Sequence, residues 1–224
     1  MNVKPIFIHV SIACNIIFLV MAAVAAVHYQ IPAKIMKKYF GIRNIWPQKH
    51  VRLVMTGDFL VGSKWNALLS RNDILYIGNR CGSIDQIGLR IGDIVKTRPD
   101  TVIVTANGFD VYMGCEPEIV AGKYQRFIES LMNENIRVVV QSALMGVPDK
   151  FDLTDYAAQV GRMNRLLKAY CETKNLVFIE VNDILSDGYH YKTGYSGRKG
   201  AYPNAVAYEL WAQKLRNVLS GING

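Results

Sequence analysis

Five short runs of aliphatic and β-branched residues recur after His50. They lie at 51–56 (VRLVMT), 74–77 (ILYI), 101–106 (TVIVTA), 136–141 (IRVVVQ) and 176–179 (LVFI). Segments with helical periodicity separate and follow them, near 64–70, 84–96, 116–134, 154–173 and 203–219. This alternation is the strongest constraint on the fold. Near-continuous Val/Ile runs suit strands buried on both faces, and helical crossovers join such strands in parallel. The expected architecture is an α/β domain, a three-layer α/β/α sandwich around a five-stranded parallel sheet. No internal repeat, low-complexity tract or second-domain boundary follows residue 50. Ligands of such sheets bind at the carboxyl ends of the strands. Those ends are the loops after Thr56, Ile77, Ala106, Gln141 and Glu180, together with the start of the last helix.

The first 50 residues differ in kind. Lys4 is followed by a stretch from Pro5 to Val27 with no Asp, Glu, Lys or Arg. About 20 such residues cross a bilayer as a helix, and the run exceeds the usual signal-peptide core of roughly 7–15 residues. An uncleaved transmembrane anchor over 1–29 is expected. A cleaved signal is the alternative, because Ala22, Ala23, Ala25 and Ala26 supply small residues near a cut. Residues 30–50 read as a basic interfacial linker, with Lys37 and Lys38 reaching headgroups while Ile35, Met36, Tyr39 and Phe40 dip into the interface. The domain then spans 51–224.

Charge placement narrows the partners. The net charge is +8, and residues 1–50 hold Lys4, Lys34, Lys37, Lys38, Arg43 and Lys49 with no acid. The domain is therefore close to neutral, and the basic residues flank an apolar segment. Membrane lipid is the expected partner and nucleic acid is not. The positive-inside rule, applied to Lys34, Lys37, Lys38 and Arg43, puts the domain in the cytoplasm. Cys14, Cys81, Cys115 and Cys171 show neither metal-type nor redox-type spacing. Neither metal nor cofactor is expected.

Four blocks fall at the boundaries of these elements. The first strand runs into Gly57-Asp58-Phe59-Leu60-Val61-Gly62. The second block is Tyr76-Ile77-Gly78-Asn79-Arg80-Cys81-Gly82-Ser83-Ile84-Asp85. The third is Pro99-Asp100-Thr101-Val102-Ile103-Val104-Thr105-Ala106-Asn107-Gly108, and the last is Tyr202-Pro203-Asn204-Ala205 with Tyr208 and Trp211. In this order and spacing the blocks resemble those of the SGNH (GDSL) hydrolases over most of 51–219, and imply that family's flavodoxin-like α/β fold. Anchored members of the family are commonly exported, which opposes the charge rule on the side of the membrane.

The resemblance also assigns positions. Phe59 stands at the serine nucleophile. Ile84 stands at the second-block glycine whose N–H serves the oxyanion hole. Asn107 retains the third-block side-chain donor. Aligned on Tyr208, Tyr202 falls at the catalytic histidine and Lys199 at the aspartate. A phenyl ring cannot attack a carbonyl, and a lysine cannot orient an imidazole as an aspartate does. The domain is thus expected to be a degenerate member. A second alignment takes Asp187-Gly188-Tyr189-His190 as the Asp-x-x-His pair, with Asp187 orienting His190 as general base. That alignment still lacks a nucleophile, since neither Ser63 nor Ser83 lies on the sharp turn.

The segment 187–202 alternates Tyr189, Tyr191, Tyr195 and Tyr202 with Lys192, Arg198, Lys199 and four glycines. Such a flexible aromatic and basic loop suits protein or glycan contact, and it equally suits an ordinary solvated loop. Three functions follow. The first is a membrane-anchored pseudo-hydrolase, a structural or binding subunit of a membrane or cell-envelope complex, with protein partners and a possible carbohydrate ligand. The second is an active carbohydrate esterase or O-acyltransferase using Asp187 and His190. The third is a small-molecule sensor or binder using the old cleft, with Asp85 and Asn107 as polar contacts; Asp58, Tyr191 and Tyr195 complete the candidate binding residues.

Overall fold

The structure, a computed structural model, describes residues 52–57, 65–78, 82–145, 154–197 and 202–222. The chain divides between Gln48 and Lys49 into two units, and everything below concerns the second. The expected anchor at 1–29 and linker at 30–50 lie outside the described residues. Among the described residues no helix is long and apolar enough to cross a membrane.

Five parallel strands form one sheet: β1 (Leu53–Gly57), β2 (Ile74–Tyr76), β3 (Thr101–Thr105), β4 (Arg137–Gln141) and β5 (Val177–Ile179), in the order β2-β1-β3-β4-β5. All five residues of β1 and of β3 are buried. The edge strands β2 and β5 have three residues each and are partly exposed. Short edges limit unwanted strand pairing.

Alternate side chains leave the sheet on opposite faces, and the two cores divide accordingly. Val54, Val102, Val104, Val138 and Val140 pack on one side. There they meet α2 (Ile84–Gly88), α3 (Ile91–Lys96), α5 (Pro117–Asn133) and α6 (Thr154–Thr173). Leu53, Met55, Ile103, Val139 and Ile179 pack on the other, against α1 (Trp65–Leu68), α7 (Asn182–Leu185) and α8 (Ala205–Ile222). The short α4 (Phe109–Tyr112) follows β3.

Local sequence explains the boundaries. Pro117 occupies the first turn of α5, where its missing N–H costs nothing. Val120, Ala121, Tyr124, Phe127, Ile128 and Leu131 then form its buried stripe. Ser83 and Gln86 close a reciprocal capping box on α2. Ser70, Arg98, Asn135 and Asn175 take positive φ. Each ends a helix that feeds a strand, where a left-handed residue reverses the chain.

The helix expected over 84–96 is broken into α2 and α3 at Leu89-Arg90. Gly88 and Gly92 on either side weaken a continuous helix. The segment 182–185 is helical although too short to show a periodicity.

The chain passes from β1 to β2 on one side and returns to β3 on the other. The carboxyl ends of β1 and β3 therefore flank the topological switch point, where open α/β sheets place their ligands.

Candidate functional site

At this crevice the first strand ends in a backbone that only glycine allows. Gly57 has φ 125°, and a Cβ there would collide with the Thr105 carbonyl oxygen. Tyr76 Oη donates to Gly57 O at 3.2 Å. A Cβ on Gly78 would meet that same tyrosine hydroxyl and the Gly57 carbonyl. The first and second blocks are thus in contact at the switch point. Thr56, one residue earlier, buries its hydroxyl with no hydrogen-bond partner among the described residues. Asp58, Phe59 and Ser63 lie outside the described residues.

Asn107 is buried, and its hydrogen bonds run to the backbone around it. Its Nδ2 donates to Gly82 O at 3.2 Å, and its Oδ1 accepts from Phe109 N at 2.9 Å. Its own N–H donates to Tyr124 Oη at 3.0 Å. The amide therefore ties the second block to the third and satisfies the first N–H of α4, whose N-cap is Gly108. Ile84 buries its side chain in the core, and its N–H donates to Asp110 Oδ2 at 2.8 Å. An oxyanion donor has to be aimed at developing charge. The Ile84 N–H is aimed at a carboxylate.

Asp110 did not stand out in the sequence. It sits three residues past Asn107, where a helix-opening acid is unremarkable. Asp85 points away from the crevice and pairs with Lys123 on α5 at 2.6 Å. Ser83 is engaged in its capping box.

Asp187 and His190 stand together in a tight turn closed by the antiparallel bridge between Ser186 and Tyr191. Asp187 Oδ1 accepts from Tyr189 N at 2.9 Å and from His190 N at 2.7 Å. These two N–H groups, that of His190 first, hold the Asp187 carboxyl below its ordinary pKa. The hydrogen bonds of this carboxylate thus go to backbone and not to the imidazole. A base-and-orienter pair requires the imidazole contact.

The loop expected to be flexible is cross-tied. Tyr191 is buried and Tyr195 packs half-buried on the core beneath α8. Tyr189 and Tyr202 are the exposed tyrosines of this segment. Gly197 N donates to the Tyr202 carbonyl, and Pro203 bridges to Ser196. Asn204 Oδ1 accepts from Ala207 N as the cap of α8. Its Nδ2 reaches back to Gly194 O and Ser196 O. Lys199 lies outside the described residues.

A third polar group, which the sequence did not reveal, joins the ends of β3, β4 and β5. Trp211 Nε1 donates to Gln141 Oε1 at 2.7 Å. Ser142 Oγ donates to Glu180 Oε1 at 2.8 Å, and Asn182 Nδ2 donates to the same oxygen at 2.8 Å. Asn182 also bonds Ala143 O and, through Oδ1, Met145 N. Asn164 pairs with both backbone groups of Ala143. No spacing rule predicts such a network, because it joins residues 141–145, 164, 180–182 and 211, segments that are separated along the chain. Among the described residues no group of three His, Cys, Asp or Glu is placed to hold a metal ion.

Solved structures share this architecture. A GDSL-like lipase from Bacteroides thetaiotaomicron superposes with a TM-score of 0.68 at 16% identity, over 84% of this chain and 97% of its own. An acetyl xylan esterase superposes at 0.61 with 16% identity, over 75% and 99%. A catalytic mutant of an acetylxylan esterase from Geobacillus stearothermophilus does so at 0.58 with 13% identity, over 74% and 92%. At such identities the likeness establishes the fold alone. No curated protein matches the sequence significantly. The profile of the GDSL-like lipase/acylhydrolase family matches residues 59–210, which is more than half of the chain and takes in the second and third blocks and the turn at Asp187, and the chain belongs to that family.

Proposed function

We propose that this chain is a non-catalytic member of the GDSL-like family. In this reading residues 5–27 hold it at a membrane, and it serves as a structural or binding subunit of a membrane or cell-envelope assembly. The observation that carries the reading is Phe59, an unreactive ring at the nucleophile position that follows Gly57-Asp58. Two contacts support it. The Ile84 N–H, at the position of an oxyanion donor, is already taken by Asp110. The Asp187 carboxylate, which the second alignment pairs with His190, is engaged with backbone N–H groups.

The second reading is a carbohydrate esterase or O-acyltransferase. It is favoured by the Asp187-x-x-His190 spacing in a turn shortly before α8, and by acetylxylan esterases among the structural neighbours.

The full chain, purified in detergent, separates the two. It would be treated with a fluorophosphonate and with an acetyl ester, beside Phe59→Ser and His190→Ala. The non-catalytic reading expects no label and turnover equal to buffer in the natural protein. Ester turnover that His190→Ala abolishes would overturn it in favour of the second reading.

A further inference from the structure

The amino ends of β1, β2 and β3, opposite the family crevice, frame a cleft of about 870 Å³. That lies within the range of small-molecule sites, roughly 300–1,000 Å³. Its walls are polar. Arg71 grips Asp73 with two bonds, Nε to Oδ1 at 2.9 Å and Nη2 to Oδ2 at 2.7 Å. Arg52 Nε donates to Asp100 Oδ2 at 2.8 Å. Each guanidinium thus has its own carboxylate. The lining carries no net charge, and a phosphate or carboxylate would find no electrostatic excess to attract it.

Between these pairs stand Asn66, Ser70 and Asn72, all exposed and all lining the cleft. Among the described residues their side chains carry no hydrogen bond. One tight turn sets them together, with Ser70 at φ 49° and Arg71 N donating to Asn66 O at 2.9 Å. Two primary amides and a hydroxyl offer donors and acceptors side by side. That pattern complements adjacent hydroxyl groups on a ring. No aromatic or long apolar wall is present among the lining residues to favour a lipid chain.

We propose that this cleft binds a neutral, polyhydroxylated ligand of the class of an oligosaccharide end. The site is separate from the carboxyl-edge crevice, and it stands whether or not that crevice is catalytic.

The test uses the full chain in a detergent without a sugar headgroup. Maltotriose, chitotriose and inorganic phosphate are titrated separately by calorimetry. At least one trisaccharide is expected to bind. Asn66→Ala combined with Asn72→Ala should weaken it at least about tenfold, by loss of two hydrogen-bonding groups. The thermal midpoint without ligand should stay unchanged. If the double variant proves unstable, each single variant should weaken binding about threefold on the same arithmetic. Three results would overturn the proposal: neither trisaccharide binds, phosphate binds in preference, or trisaccharide affinity survives the asparagine substitutions.

Discussion

The two ends of the sheet use their polar groups in opposite ways. At the carboxyl ends, Asn107, Asp110, Gln141, Asn182, Asp187 and Asn204 are all engaged with neighbouring backbone or side chains. At the amino ends, Asn66, Ser70 and Asn72 line a cleft with their side chains unbonded among the described residues. A working hydrolase site keeps donors and acceptors aimed at a reacting group. Among the described residues, the family's end of the sheet turns these groups inward to hold loops together. The exposed side chains of Asn66, Ser70 and Asn72, with hydrogen-bonding capacity unused among the described residues, stand at the other end.

The comparison can be broken first at its most buried point. Trp211 is fully buried, packs edge-on against Trp65 at 4.9 Å and donates to Gln141. Trp211→Ala should cost about 3–5 kcal/mol, read from urea unfolding, because it leaves both a cavity and an unpaired glutamine. A loss below about 1 kcal/mol would mean that this junction does not anchor the carboxyl edge.

Asn182→Ala comes next, at about 2–3 kcal/mol. It strands the Met145 N–H, which Asn182 Oδ1 satisfies, and leaves the Ala143 carbonyl with Asn164 as its remaining amide donor. Hydrogen exchange at Met145 should quicken in the variant. Unchanged exchange there would remove Asn182 from the set of inward-turned groups.

The smallest effect sharpens the comparison at Asp187. Its folded-state pKa is depressed, with the His190 and Tyr189 N–H bonds as the chief causes. Its contribution is therefore fully present above the ordinary carboxyl value of 3.8 and is lost as pH falls through the lower folded value. The amide signals of Tyr189 and His190 should shift together with a midpoint below 3.8, and Asp187→Asn should abolish that transition. A midpoint at or above the ordinary value would show that the carboxylate does not hold the turn.

Much of the fold was legible. The strand runs at 101–106 and 136–141 correspond to β3 and β4, and the periodic segments at 116–134 and 154–173 to α5 and α6. Burial on both faces forces a long apolar run, and a half-buried helix forces a 3.6-residue stripe, so both leave a trace in one dimension. The break at Leu89-Arg90 left a weaker trace, in Gly88 and Gly92. The site was legible only as positions. Asn107 was visible as a candidate, whereas its bond to Gly82 joins residues 25 apart in the chain. Tyr191 and Tyr195 read as ligand contacts because tyrosine serves surfaces and cores alike, and only packing showed them half or fully buried.

By itself the sequence determined the layered α/β architecture, the end of the sheet where such folds place their ligands, and a phenyl ring after Gly57-Asp58. These depend on periodicity and residue identity, which are local. Only the tertiary structure decided that Asp110 takes the Ile84 N–H, that Asp187 bonds backbone, and that Asn66, Ser70 and Asn72 share a cleft with two neutralised arginines. The physical reason is that a hydrogen bond depends on distance and direction between groups, and chain order fixes neither until the sheet has brought its loops together.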